Sequence, residues 1–247
     1  DEFIHVSGAV TAVRNRKTLA IEIFEKLNEK AMGTQQDVLI LGSGPVTETF
    51  EFFERNPDNS LVFDMLDLDK RAIAYAKNKN RKYLNAMTFH NANVIRYTPE
   101  KQFDLIWSAG LFDYFKSKHF VYPLKRYYEY QKDGAEMIIG NFNSENPSRR
   151  SMEIMGDWFL YHRSADELKH YAIQAGIDES KIDTMTLRIL NKVKIKNKSN
   201  NTVMEYQIVP ESEANLNLAK IAVNSPIAMG LIGRKVGEMV QIKVPSG

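Results

Sequence analysis

A four-residue apolar run that opens onto two glycines constrains this chain more than any other stretch. Val38-Leu39-Ile40-Leu41 carries no polar residue and is followed at once by Gly42-Ser43-Gly44-Pro45. A strand that is apolar at every position suits a parallel sheet buried on both faces. Glycines at its carboxyl end let the backbone approach a ligand closely, beside the N-terminus of the next helix. The third glycine of the dinucleotide fingerprint is absent, so taken alone the segment also fits a plain strand-to-helix turn.

The flanking sequence alternates helix and strand patterns. Leu19, Ile23, Leu27 and Ala31 are spaced by four, which predicts an amphipathic helix over 18–31. Helices are expected over 47–54, stopped by Asn56-Pro57-Asp58, over 69–78 with Ala72, Ile73 and Ala76 inward, and over 122–131. Strands are expected at 61–66, 87–89, 103–107 and 137–140. Strand and helix in alternation mean a doubly wound, mostly parallel, Rossmann-like α/β sheet with right-handed crossovers.

Composition changes near Leu187. Of 26 aromatic residues only Tyr206 lies in 187–247, and that tail carries nine Lys/Arg against four Asp/Glu. The net charge is +5 there and −3 over the first 186 residues, which predicts a domain boundary between 186 and 187. Val193-Lys194-Ile195-Lys196 alternates, putting Lys192, Lys194, Lys196 and Lys198 on one face. With the turn-rich 197–201 and a second strand over 203–209 it reads as a hairpin. A short helix over 226–231 and a strand over 239–244 complete a small α+β domain. One further strand is expected over 181–190. The hairpin could also complete the parallel sheet.

The overall charge of +2 provides no footprint for direct nucleic-acid binding. With no cysteine, disulfides, thiolate metal sites and a thiol nucleophile are excluded, and a reducing cytoplasm fits. No stretch reaches the ~20 apolar residues of a membrane span. Asp1-Glu2-Phe3 has neither Met nor a basic run, so no signal peptide is read there.

Four elements recur in order at the strand ends: Gly42-Ser43-Gly44-Pro45, Leu66-Asp67-Leu68-Asp69, Asn91-Ala92-Asn93-Val94 and Trp107-Ser108-Ala109-Gly110. A carboxylate after the second strand can hold ribose hydroxyls. Asp67 is the better candidate, since Asp69 is placed to cap the following helix. A side-chain amide after the third strand can read an adenine edge. Small residues after the fourth leave room for a ligand.

In this order and spacing, residues 1–186 resemble class I S-adenosylmethionine-dependent methyltransferases. The resemblance implies an enzyme using S-adenosylmethionine, with its methionine part over Gly42, Ser43, Gly44 and Pro45. It puts the ribose on Asp67 and Leu68, the adenine by Asn93 and Val94, and the sulfonium end by Ser108 and Ala109. Arg14 would take the cofactor carboxylate. The acidic residue common in the family's first strand is Ile40 here, leaving Glu48 as one candidate partner for the amino group. A further set narrows the resemblance: Arg14-Asn15-Arg16, Gly110-Leu111-Phe112-Asp113-Tyr114, Gly140-Asn141-Phe142, Asn146-Pro147-Ser148-Arg149 and Asp157 to Arg163. These look like the group linked to the methyl ester of 3-hydroxypalmitic acid, which implies O-methylation of a fatty-acid or small-molecule carboxylate.

A carboxylate, with a pKa of about 4, is already a nucleophile and needs no general base, whereas a hydroxyl needs one. Tyr114, Arg149, Tyr161 and Arg163 are the candidate substrate-positioning residues, with Phe112, Phe115, Trp158 and Phe159 lining an apolar slot. Arg149 or Arg163 would pair with the acceptor carboxylate. His119 and His162 would serve as bases only for a protonated acceptor. No metal site is expected.

The tail, from Met204-Glu205-Tyr206 through Asn224-Ser225-Pro226-Ile227 to Leu231-Ile232-Gly233-Arg234-Lys235-Val236-Gly237-Glu238, resembles the FKBP-like C-terminal domain of the Gre transcript-cleavage elongation factors. That implies contact with RNA polymerase through 187–247. Transcript cleavage is not implied, because no long heptad hairpin is present. Packing on the methyltransferase domain and homodimerisation stay open. A non-catalytic, transcription-associated regulator is the alternative reading. A nicotinamide-linked oxidoreductase is disfavoured by the missing third glycine.

Overall fold

A computed structural model describes residues 8–146, 148–183, 192–196, 202–209, 214–222, 225–231 and 240–242. Contacts gather residues 15–186 into one compact unit and residues 1–14 and 187–247 into another. In the first unit five parallel strands are ordered β3-β2-β1-β4-β5: β1 (Gln36–Leu41), β2 (Leu61–Asp67), β3 (Met87–Asn91), β4 (Phe103–Ser108) and β5 (Gln131–Ile139). The chain steps from β1 through β2 to β3, then crosses to β4 on the other side of β1. The order therefore reverses between β1 and β4, where open parallel sheets bind ligands beyond the strands' carboxyl ends.

The apolar run of β1 is buried on both sides. Val38 and Ile40 enter one cluster with Ala20, Phe24, Phe52, Phe63 and Trp107, while Leu39 and Leu41 enter the other with Ile106, Phe112, Phe120 and Tyr127. Helices α1 (Gly8–Ala31), α2 (Thr47–Arg55) and α3 (Lys70–Lys79) supply the first layer. Helices α4 (Ser117–Tyr128) and α6 (Ala165–Gln174) supply the second, with α5 (Arg149–Gly156) between them in sequence. Phe24 meets Phe52, Phe63 and Trp107 edge to face at 5.2–6.4 Å. Removing a side chain of this size from water contributes about 1.5–3 kcal/mol.

Three boundaries differ from the sequence reading. Helix α1 begins at Gly8, so Arg14 and Arg16 lie within it rather than ahead of it. Its fully buried stripe is Ala20, Ile21 and Phe24, whereas Leu19, Ile23 and Leu27 pack only partly. Helix α4 starts at Ser117 and carries the buried Pro123 in its second turn, where a proline suggests a start. Strand β5 begins at Gln131 because an edge strand accommodates polar residues such as Lys132 and Asp133.

Toward the amino ends of the strands lies a charge network. Lys101 Nζ is 2.8 Å from both Asp37 and Asp64, and Lys132 Nζ is 2.9 Å from Asp37 and 2.7 Å from Asp104. Asp104 also accepts the Asp37 N–H at 2.7 Å, and His90 Nε2 sits 2.7 Å from Asp64.

In the second unit β6 (Lys192–Lys196) and β7 (Val203–Val209) form the expected antiparallel hairpin, and β8 (Lys220–Ala222) joins β7 in parallel. The hairpin belongs to this separate three-stranded sheet and does not complete the parallel one. Helix α7 (Pro226–Leu231) buries Ala228 with Ile221, Tyr206 and Ile227. Most of the strand expected over 181–190, and residues 239, 243 and 244 of the last one, lie outside the described residues.

Candidate functional site

The loop after β1 is built by backbone conformation. Gly42 and Gly44 adopt φ of 66° and 58°, in the left-handed region that glycine enters without a Cβ clash. A Cβ on Gly42 would fall 2.8 Å from Leu111 Cβ, whereas one on Gly44 would meet nothing within 4 Å. Val46 caps α2 at φ 43°, a strained conformation for a β-branched residue, and its side chain is fully buried. Strain of this kind persists only where the surroundings over-determine it, and it collects at ligand sites.

Asp67, at the end of β2, latches this loop. Its Oδ2 accepts the Gly44 N–H at 2.7 Å and its Oδ1 accepts the Asp69 N–H at 2.8 Å. A carboxylate has about four acceptor positions, so two remain for a ligand. Asp69 caps α3 through the Arg71 N–H, which lowers its pKa. Next to these loops lies a cleft of about 350 Å³ lined by Gly42, Leu66, Asp67, Leu68, Ala92, Asn93, Val94, Ile95, Gly110, Leu111, Tyr114 and Phe115.

The strand-end residues Gly42, Asp67, Leu68, Asn93 and Val94 therefore share one cleft, and Tyr114 joins them. Asn93 Oδ1 accepts the Ile95 N–H at 2.8 Å, leaving its NH₂ free to donate. Ser43 lies beside the cleft wall, buried, with an Oγ that meets no partner. Ser108 is fully buried and donates to the Leu41 carbonyl at 3.0 Å, so it pins β4 to β1 and does not line the cleft. Gly44, Pro45 and Ala109 adjoin the lining without belonging to it. The side chain of Arg14 and residue Pro147 lie outside the described residues.

The substrate-positioning candidates divide. Tyr114 is exposed at the cleft and its oxygen accepts the Trp158 indole N–H at 2.9 Å. Tyr161 is exposed, and its backbone N–H donates to the Asp113 carbonyl at 2.8 Å. Arg163 is held by the chain itself. It is 2% exposed, donates to the carbonyls of Phe112, Phe115 and Tyr161 and to Asn141 Oδ1, and lies 4.4 Å from the Phe120 ring. Through its two Nη atoms the guanidinium clamps the loop 111–115 to the segment 141–163, while its buried Nε meets no partner. Arg149 is exposed and paired with Glu153 one turn on, at 2.8 Å. Phe112 is fully buried core rather than slot lining. His162 is held below its usual pKa by burial, with Nδ1 facing the Leu160 carbonyl and Nε2 the Asn146 amide. His119 is exposed on α4.

Two buried acidic groups share Arg16 as a charged neighbour and were not singled out as a pair by their sequence pattern. Asp113 is 1% exposed, accepts the Phe142 N–H at 2.7 Å, and has its pKa pushed up to about 6 by burial. Glu48, on the first turn of α2, is also raised by burial. Arg16 was missed as well, although it stands in line with the buried Ala20 and Phe24 at i, i+4 and i+8. A cation on that stripe is a signal.

A five-stranded parallel sheet in this order, with the glycine loop after β1 and an acid after β2, is the fold of the class I S-adenosylmethionine-dependent methyltransferases. Similar solved structures include a magnesium protoporphyrin IX methyltransferase from Synechocystis with bound S-adenosylhomocysteine. It is 11% identical, covering 69% of this chain and 77% of that one at a TM-score of 0.53. Another is the plantazolicin methyltransferase BpumL in complex with a triazolic desmethylPZN analog and S-adenosylhomocysteine, 16% identical over 63% and 61% of the two chains, TM-score 0.51. Residues 183–247 match the family "Transcription elongation factor, GreA/GreB, C-term". The GreA factors of Flavobacterium johnsoniae and Flavobacterium psychrophilum are 51% and 52% identical over 77 and 71 residues, 31% and 29% of this chain. The chain spans about half the length of these curated relatives, 49% and 45%. It thus joins a methyltransferase fold to a segment similar to the Gre C-terminal domain. No helix among the described residues is long and apolar enough to cross a membrane.

Proposed function

We propose that residues 15–186 bind S-adenosylmethionine and transfer its methyl group to the carboxylate of a small-molecule or fatty-acid acceptor, with residues 187–247 forming a separate interaction domain. The observation that carries this reading is the glycine loop held open by Asp67 at the mouth of the cleft. The orphaned Ser43 hydroxyl and the space around Gly44 fit a ligand on that loop. Asp67 would hold the ribose, and Asn93 with the Val94 backbone the adenine edge. When bound, the cofactor supplies an electrophilic methyl on a sulfonium.

The protein's part is orientation and exclusion of water. The titratable residues lining the cleft are Asp67 and Tyr114, which suits an acceptor that is already ionised. Leu68, Ile95, Tyr114, Phe159 and Tyr161 are exposed apolar or aromatic side chains that could cover an acyl chain. Titration calorimetry with S-adenosylhomocysteine tests the reading. The full chain should bind it, and Asp67→Ala should lose at least about 30-fold, the worth of a charged hydrogen-bonding partner. A wild-type protein that ignores the ligand sinks the proposal. Labelled cofactor with a panel of 3-hydroxy fatty acids then tests the acceptor.

The alternative, a non-catalytic regulator that contacts RNA polymerase through 187–247, draws on the match to the Gre C-terminal family. Immobilised full chain should retain the polymerase core, and deletion of 187–247 should abolish retention. Equal retention without those residues removes this reading.

A further inference from the structure

Tyr114 carries the one hydroxyl among the described residues lining the cleft, and its neighbours fix where it stands. The carbonyls on either side of it, those of Asp113 and Phe115, accept the Tyr161 N–H at 2.8 Å and the Arg163 guanidinium. Asp113 Oδ1 accepts the Phe142 N–H at 2.7 Å, and the Tyr114 N–H donates to the Leu111 carbonyl at 3.2 Å. Trp158 packs edge on against Phe142, with ring centroids 5.7 Å apart, and its backbone N–H donates to the Met152 carbonyl at 3.0 Å. Its indole N–H donates to Tyr114 Oη at 2.9 Å. An indole N–H is a donor only, so the tyrosine oxygen can only accept in that bond. Its own proton is left to donate, and among the described residues it meets no acceptor. No Lys, Arg or His is among the described residues that line the cleft. Asp67 acts there as an acceptor, and Asn93 is the other donating side chain.

We infer that Trp158 is a positioning residue that makes the Tyr114 hydroxyl a fixed donor, and that this donor receives one oxygen of the acceptor's carboxylate. The inference rests on the methyl-transfer reading and names the group that holds the acceptor in the cleft. The second carboxylate oxygen is the nucleophile: its C–O bond to the methyl forms as the C–S pair returns to sulfur, and no proton moves. A hydrogen bond to an ionised oxygen is about twice as strong as one to a neutral hydroxyl, so a fixed donor favours an acid over the alcohol of the same chain. Without the Trp158 N–H the phenol accepts as readily as it donates, and the preference falls.

The test compares decanoate with decanol, which share an apolar chain and differ in the head group. Both are titrated into the full chain by calorimetry with S-adenosylhomocysteine present, at about pH 7, where the acid is ionised. The wild type should bind decanoate about tenfold more tightly than decanol. Tyr114→Phe should erase that ratio, and Trp158→Phe, which keeps an aromatic ring for Phe142, should cut it to about threefold. The double variant should match Tyr114→Phe, because a residue acting through the hydroxyl has nothing left to act on, whereas a merely structural role would add. Circular dichroism melts check that each variant folds. Failure of the wild type to bind decanoate, a wild-type ratio near one, a ratio that either single variant leaves unmoved, or additive losses overturn the inference while leaving the nucleoside cleft in place. A wild type that ignores S-adenosylhomocysteine in its own titration removes the cofactor reading, and the inference with it.

Discussion

The two ends of the parallel sheet treat charge in opposite ways. At the amino ends Asp37, Asp64 and Asp104 are each within 2.9 Å of a lysine, and the hydrogen bonds from Lys101 and Lys132 outweigh burial to lower the Asp37 pKa. At the carboxyl ends burial raises both Asp113 and Glu48, and Arg16 lies near them without a close pair. One end settles its electrostatics within the chain, which serves the fold. The other leaves buried charge without a close ion pair, a pattern that supports the proposed binding site. Left-handed backbone is found at both ends of β1, at Met32 and Gly33 ahead of it and at Gly42, Gly44 and Val46 after it.

The sharpest way to break that comparison is at the glycines. Gly42→Ala must place a Cβ 2.8 Å from Leu111 Cβ while holding φ near 66°. Left-handed strain and overpacking each cost about 1–3 kcal/mol, so the variant should lose about 4 kcal/mol. Gly44→Ala has the strain without the clash and should lose about 1–2 kcal/mol. Urea unfolding followed by tryptophan fluorescence reads both, because Trp107 and Trp158 are the only tryptophans and both lie in residues 15–186. Equal losses would mean that the loop yields and that its shape is not imposed by Leu111.

Much of this fold was legible because period and punctuation are local. The run 38–41 named a buried parallel strand, Asp69 named a helix cap, and 203–209 and 226–231 named a strand and a helix with the observed bounds. What could not be read depends on partners distant in sequence. Arg163 looks like a free guanidinium until the carbonyls of Phe112 and Phe115, some fifty residues away, are folded around it. Ser108 looks like cleft lining until its hydroxyl finds the Leu41 carbonyl. Arg16 was masked by a helix boundary: with the helix started at Thr18 it falls in a loop, and its alignment with Ala20 and Phe24 disappears.

The smaller effect, and the one that addresses electrostatics directly, is the pH dependence of stability at the two ends. Asp113 has a folded pKa of about 6 against an ordinary value of 3.8, so the native state holds its proton more tightly than the unfolded chain. Its contribution is fully present below the ordinary value and is lost as pH rises toward 6, by about 2–3 kcal/mol. Arg16 and Arg163 face this group and offset part of its burial. Asp37 has the opposite sign. Its pKa is lowered, so its contribution is present above 3.8 and is lost as pH falls through the folded value. Lys101 and Lys132 face it, and Asp64 and Asp104 share them. Unfolding measured from pH 3 to 7.5 should therefore show Asp113→Asn gaining on wild type between pH 4 and 6, because Asn imitates the protonated acid. Asp37→Asn should instead flatten the decline below pH 4. If the two variants track the wild type in parallel across the range, the carboxyl-end acids are as well paired as those at the amino end, and the asymmetry that supports the proposed binding site is lost.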